Sequence, residues 1–557
     1  MATKALSFQR WALHKGRRLM RTSRRLVSTF LGGLAVMALS GAGVMAQAPQ
    51  PGGNLTIAWR ANQEPASLDG HIDPFQSTWL FNSFVSDPLV VLDGDAKYQP
   101  ALATAWEVNA DGTAWTFKLR QGVTFQDGTP FNAAAVKYNI ERILAPATAS
   151  KQLASELGPV KVEVVDDFTV RFAYVQPWVT LLDGLRRMPI WSPTAAEKFG
   201  LQEFQRNLVG TGPFTLAEWV KNDRMVFRKW AGYGGWHPLS SQKGPAYLDQ
   251  VTVRFIGENA VLNEAVRAGT TLVGFSLTPD SREIYKDKPN FRFNSFGQSG
   301  TGLQQVMNLR RPPLSDIRVR QALLFARDMP AINRLLYDGT YMQGDGPLDN
   351  VHRCFWPGAT AMYATNLDRA RALLDEAGWR VVPGQPIRQA RGVAGVTDGT
   401  PLKVSWTTIH HREIGEALQA QYRRIGIDLQ VEQVPGPIQL DRVNRRDFDL
   451  MFLRQRSPDP VILDQVWNSR WDQPGGWAWT GLKDEELDRT LGQLRVVGDD
   501  GQRCEIAKKA QEIIMKNAAM LPTLSEPVFI AMAPSVQNLR MGSEGNWFFL
   551  HDTWIRR

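Results

Sequence analysis

Between Asp93 and Leu144 the apolar positions change period twice. Trp106–Val108 leads into the turn cluster Asn109-Ala110-Asp111-Gly112, whose glycine supplies a positive φ. Trp115, Phe117 and Leu119 then alternate with Thr116, Lys118 and Arg120, the mark of a strand with one buried face. Asp127–Pro130 makes a second turn. Asn132 is then placed to cap a helix whose apolar positions Val136, Ile140, Ile143 and Leu144 follow helical spacing, with Pro146 just beyond its end.

The same two periods lay out the rest. Strands are expected at Leu55–Trp59, Lys161–Val165, Thr169–Tyr174 and Tyr247–Ile256, and helices at Glu258–Ala268, Ser315–Ala326 and Leu367–Ala377, the last closed by Gly378. Leu402, Val404 and Trp406 alternate as a strand. Ile414, Ala417, Leu418, Tyr422 and Ile425 mark a helix ended by Gly426, and Ile427, Leu429 and Val431 alternate again. Strand, helix, strand in about thirty residues predicts a parallel pair with a right-handed crossover. Phe448–Leu453 is an apolar strand, and the Pro/Gly-rich stretch Val382–Thr400 reads as a long surface loop. Phe75 and Trp79, four residues apart, belong either to a pocket-lining loop or to the core face of a helix.

Charge changes the picture at one end only. The net charge is +9, but Lys4, Arg10, Lys15, Arg17, Arg18, Arg21, Arg24 and Arg25 precede Gln47 with no acidic residue among them. Removing those eight leaves 56 Lys+Arg against 55 Asp+Glu, a body of +1 with no basic footprint for nucleic acid. The leader, residues 1–46, has a basic n-region, an apolar run Leu26–Leu39 too short to span a bilayer, and a small-residue cleavage site at Val44-Met45-Ala46. It predicts export to a periplasm with Gln47 as the mature N-terminus. No cysteine is near the cleavage site to carry a lipid anchor. Both the general and the twin-arginine route (Arg24-Arg25), and starts at Met1 or Met20, stay open. In an oxidising compartment Cys354 and Cys504 either pair or stand as two separate buried thiols; spacing does not decide.

No GxSxG, HExxH, P-loop or CxxC occurs, so no catalytic residue, metal ligand set or cofactor is expected. His410-His411 is the only adjacent histidine pair, and neighbouring side chains diverge on a helix or a strand, which makes them poor joint ligands.

As a string, PALATAWEVNADGTAWTFKLRQGVTFQDGTPFNAAAVKYNIERIL (Pro100–Leu144) resembles the signature region of the bacterial extracellular solute-binding proteins of family 5, the peptide-, nickel- and opine-type receptors of ABC importers. VGTGPFTLAEW (Val209–Trp219), MNLRRPPLSDIRVRQALLFARD (Met307–Asp328), ARALLDEAGW (Ala370–Trp379) and RDFDLMFL (Arg446–Leu453) follow in family order. The resemblance implies an α/β, two-lobed periplasmic binding protein fold with three domains of mixed sheets flanked by helices, and a ligand cleft between the lobes. Domain I would comprise 51–92, 207–300 and 523–557, domain II 93–206, and domain III, the second lobe, 301–522. It also implies a monomer that captures a peptide-like or other small organic solute by hinge closure and delivers it to an inner-membrane permease, without chemistry. A nickel or metallophore receptor on the same fold, and a periplasmic hydrolase, are the alternatives.

Cleft residues implied by the resemblance are Asp73, Phe75, Gln76, Trp79, Met307, Asn308, His410, Arg454, Arg456, Asp459 and Trp471. Peptide-binding relatives carry an acidic anchor for the ligand's ammonium group in a Trp-rich run near here. This chain keeps Ser457-Pro458-Asp459-Pro460 but has Arg454 and Arg456 before it. A guanidinium fork suits a carboxylate, so an anionic solute is expected unless the arginines pair internally, for instance with Asp459 or Asp464.

Overall fold

Alternation along the strand Asn54–Arg60 puts Leu55, Ile57 and Trp59 in one core and Ala58 in another, so both faces are covered. Such a strand belongs inside a sheet. It has parallel neighbours on both sides, Gln250–Ile256 and Val273–Leu277. The sheet runs Arg292–Phe296, Val528–Met532, Val273–Leu277, Asn54–Arg60, Gln250–Ile256, Arg224–Lys229, Phe214–Val220, with antiparallel pairing outside the central three. This computed structural model describes residues 48–73, 76–94, 97–148, 151–474, 476–542 and 548–557. The expected leader with its cleavage point, and Phe75, lie outside the described residues. Among those residues no helix is long and apolar enough to cross a membrane.

A second, four-stranded antiparallel sheet holds the expected hairpin, Ala103–Val108 against Ala114–Leu119, with Trp106 opposite Phe117. The helix Ala133–Leu144 follows; the Asn132 carboxamide accepts from the Ala135 amide at 3.0 Å, and Val136, Ile140 and Ile143 are buried in a core of their own with Phe117 and Phe172. The third sheet runs Asp428–Gln433, Lys403–Thr408, Leu450–Leu453, Gln304–Met307, Met520–Pro522. Its first two strands are the expected crossover pair: Lys403 faces Asp428 and Thr408 faces Gln433 in parallel, with the helix Arg412–Arg423 between them in sequence.

One element differs from expectation, and one left open is decided. Val382–Thr400 is not a bare surface loop. Gln389–Ala390 pairs with Trp379–Arg380, and Arg388, 4% exposed, donates to the Ile425 and Trp379 carbonyls at 2.9 and 2.7 Å and to Asp375 at 2.6 Å. Composition marked the turns of this stretch but not the arginine that pins it inward. Second, the chain around Trp79 is the helix Gln76–Val85, and Trp79 is in its core face. Cys354 and Cys504 form a disulfide, with their Cα atoms 4.6 Å apart and 150 residues between them in sequence.

The first and third sheets are joined by two short crossings, residues 297–303 and 523–527, that run side by side. The Leu303 amide bonds the Leu524 carbonyl at 2.9 Å and Gln298 Nε2 bonds the Glu526 carbonyl at 3.0 Å. Gly300 sits here at φ +143°, where a Cβ would lie 2.3 Å from the Gln455 carbonyl; only glycine lets the crossing lie this close to that chain.

Candidate functional site

Strand direction decides what meets at the crossings. Lys403–Thr408 and Leu450–Leu453 run parallel, and Gln304–Met307 runs antiparallel with Gln304 opposite Leu453. Two carboxyl ends and one amino end therefore share one edge, where open α/β sheets place their ligands. The segments leaving that edge carry His410, His411, Arg454 and Arg456, and the second crossing carries Glu526. Arg60, at the carboxyl end of the central strand of the first sheet, is near enough for its charge to act on His410. Groups from two sheets thus face one another.

Most of the charge here is already matched. Arg454 Nη1 pairs with the Glu526 carboxylate and Nη2 donates to the Glu526 carbonyl at 3.3 Å. His411, in the left-handed region at φ +57°, puts Nε2 3.6 Å from Glu526 and Nδ1 3.3 Å from Glu413. The Tyr337 hydroxyl donates to Glu413 at 2.5 Å and the Tyr341 hydroxyl to Glu526 at 3.4 Å, and the two phenol rings stack at 4.0 Å. Burial works against the His411 cation, but Glu526 and Glu413 outweigh it and raise its pKa to about 9. Burial likewise opposes the Glu413 anion, and hydrogen bonds from His411 and Tyr337 reverse that, lowering its pKa to about 2. His410 keeps an exposed edge, yet the protein packed around it and the His411 charge lower its pKa to about 4, so its ring is neutral.

A pH dependence follows. A raised histidine pKa stabilises fully below the unfolded value of ~6.5 and loses that contribution as pH rises through about 9. H411Q should therefore cost stability at pH 6, and the gap to wild type should close by pH 9.5 in urea titrations. An equal gap at both pH values would disprove the pairing.

The expected residues divide. His410, Arg454 and Arg456 lie at the junction. Arg454's partner is Glu526, not Asp459 or Asp464. Asp459, 3% exposed, is instead held by Arg503 through two bonds of 2.7 and 2.5 Å. Met307 is 0% exposed within a central strand, so the core takes it. Asn308 is buried too, donating to the Arg446 and Phe448 carbonyls at 3.0 Å each. Trp79 is a core residue with Arg187 over its ring. Asp73 is buried and accepts from the Ser67 amide at 3.1 Å. Trp471 donates to Asp464 at 3.1 Å beneath Arg470 and Arg495. Phe75 and the side chain of Gln76 lie outside the description. The sequence singles out His411 with His410 as a candidate metal holder. Sequence reasoning missed Arg60, Glu413 and Glu526, and a charged residue ending a central strand was the one available signal, which pointed to Arg60 alone.

Loops and helices flanking the second and third sheets also meet. Ser457 donates to Asp183 at 3.1 Å, the Val179 amide bonds the Arg495 carbonyl at 3.1 Å, and Arg495 lies over Trp178 at 4.9 Å. Two bodies joined by paired crossings, with charged groups facing across the junction, make a receptor's architecture. Residues 97–471 match the family model described as bacterial extracellular solute-binding proteins, family 5 Middle. The chain belongs to family 5. The glutathione-binding protein GsiB of Shigella flexneri is 26% identical over 484 residues, covering 83% of this chain and 88% of that protein. Among solved structures, DppA of Helicobacter pylori with the peptide STSA aligns with a TM-score of 0.76 at 23% identity, over 91% of this chain and 99% of that one. NikA of Brucella suis with Fe(III)-EDTA aligns with a TM-score of 0.77 at 24% identity, over 90% and 100%. This family-5 protein is a non-enzymatic solute-binding receptor of an ABC importer, and the fold is the mixed α/β fold of its periplasmic relatives.

Proposed function

We propose that the solute is a small organic anion of the peptide or glutathione type, held at the junction of the first and third sheets with Arg60 taking a carboxylate. The observation that carries this is Arg60 itself. It is a permanent cation, partly exposed, close enough for its charge to act on the exposed ring of His410, and it makes no salt bridge among the described residues. Arg454 is a weaker candidate because Glu526 already occupies its fork. Around the junction Arg60, His411, Arg454 and Arg456 stand against Glu413, Glu526 and Asp349, four cations to three carboxylates. Glutathione, which one relative binds, carries two carboxylates, and the Fe(III)-EDTA held by another is a carboxylate-rich anion.

We read three domains bounded as the sequence indicates, one around each sheet, with 297–303 and 523–527 as the hinge; the second sheet has a core of its own, while one core continues from the first sheet into the third. Export by a cleaved leader, a monomeric state and docking on a permease complete the reading. His410 favours a second occupant, a chelated metal taking one neutral imidazole. Calorimetry against glutathione, di- and tripeptides, opine-like acids and nickel–histidine separates the two. The expected result is an anionic binder whose affinity falls by roughly 2–5 kcal/mol in R60A, the range for removing one partner of a desolvated charge pair. Preference for a cationic peptide, or unchanged affinity in R60A, would overturn it.

A further inference from the structure

Asp87, His237 and His551 come from three segments far apart in sequence: the end of the helix Gln76–Val85, the loop before the strand Gln250–Ile256, and the last turns of the chain. Their exposures are 1%, 2% and 4%. One nitrogen from each imidazole and a carboxylate oxygen all lie within 4.8 Å of one another. His551 Nε2 is 3.4 Å from Asp87 Oδ1, and the two rings stack with centroids 4.0 Å apart.

The hydrogen bonding explains only part of this. Trp236 Nε1 donates to Asp87 Oδ2 at 2.8 Å and the Tyr233 hydroxyl to Oδ1 at 3.4 Å, while the Asp87 amide bonds Thr211 Oγ1 at 3.2 Å. The carboxylate is thus fixed in orientation, as the outer partners of a metal-binding carboxylate fix it. Among the described residues, Nδ1 of His237 and Nδ1 of His551 are both buried without a hydrogen-bond partner. Two orphaned ring nitrogens on adjacent buried imidazoles are costly, and buried polar atoms in native proteins rarely go unpaired. A small cavity of about 40 Å³ adjoins them, lined by all three side chains together with Ser86, Phe549 and Arg186, the last engaged by Asp183 at 2.7 Å. That is room for about one water.

We propose that Asp87, His237 and His551 bind a divalent late first-row cation of the zinc class, with water from the cavity as a further ligand. Two imidazoles and one carboxylate are a donor set that suits zinc. The cation would tie the chain's last turns to two earlier segments, acting as a structural clamp built from residues other than those at the solute junction.

The test uses the exported protein, stripped with chelator, dialysed against zinc and assayed for metal content and melting temperature. Wild type is expected to retain one zinc per chain and to melt higher with it, as does the double variant H410A/H411A. H237Q and H551Q are expected to retain none, with melts that zinc no longer shifts. Wild type that retains no zinc overturns the proposal, as does zinc kept by H237Q and H551Q but lost by H410A/H411A. Should either glutamine variant fail to fold by circular dichroism, Co(II)-loaded H410A/H411A decides. Hyperfine-shifted imidazole N–H resonances from two histidines support the clamp, and their absence refutes it.

Discussion

Replacing Arg503 with methionine will destabilise the protein by about 3–5 kcal/mol, the cost of breaking a buried ion pair from one side. Arg503 and Asp459 have side chains 5% and 4% exposed, and the guanidinium meets the carboxylate with both terminal nitrogens. Asp459 also accepts from the Val461 amide at 2.8 Å, so the loss of Arg503 leaves a positioned, desolvated anion. Urea denaturation of R503M reads the effect as a fall in midpoint at constant slope. The double variant R503M/D459L removes both charges and should recover most of the loss, because apolar replacement of a whole buried pair is often close to neutral. A single variant as stable as wild type would show that Asp459 finds water or another cation, and would return it to the list of solute contacts.

Removing the disulfide should have an effect of similar size. Cys354 and Cys504 close a loop of 150 residues. On the chain-entropy account a cross-link of that span stabilises by about 5 kcal/mol, since it restricts the unfolded chain. Cys354 is 0% exposed, and Cys504 is on the helix Asp500–Lys516 against the same core. The comparison is between C354A/C504A and wild type in guanidinium chloride, with reduced wild type as a second arm so that the alanine side chains are not the sole difference. Thiol titration of denatured, unreduced protein should find none. Two free thiols, or a midpoint untouched by reductant, would refute the bond.

How far the sequence could be read depended on the range of the interaction. The Asn132 cap, the hairpin around Asn109–Gly112 and the crossover unit from Lys403 to Gln433 are local, and period and turn chemistry state them outright. The partner of Arg454 is 72 residues away, and the partner of Asp459 is 44. No spacing rule connects such residues, so the sequence left Arg454 open between a free fork and an internal pair, without naming Glu526, and read Asp459 as a solute contact. Met307 and Asn308 opened a motif that proved to be the centre of a sheet and its edge hydrogen bonds. The resemblance to family 5 located the junction; which side chains remain available there was set by pairing that only the fold brings about.

The strand Val528–Met532 is wedged between Arg292–Phe296 and Val273–Leu277, hydrogen-bonded to both, with Ile530 opposite Phe275 on one side and Asn294 on the other. The first sheet therefore cannot be completed as the chain emerges in order. Until residue 532 has been delivered, two strands made some 250 residues earlier present unpaired edges where the missing strand belongs. Pairing over that distance is non-local, the kind of contact that slows folding because chain closure precedes its reward. A chain cut short before Val528 would lack an internal strand rather than a dispensable tail, leaving two exposed edges of the kind that recruit other strands.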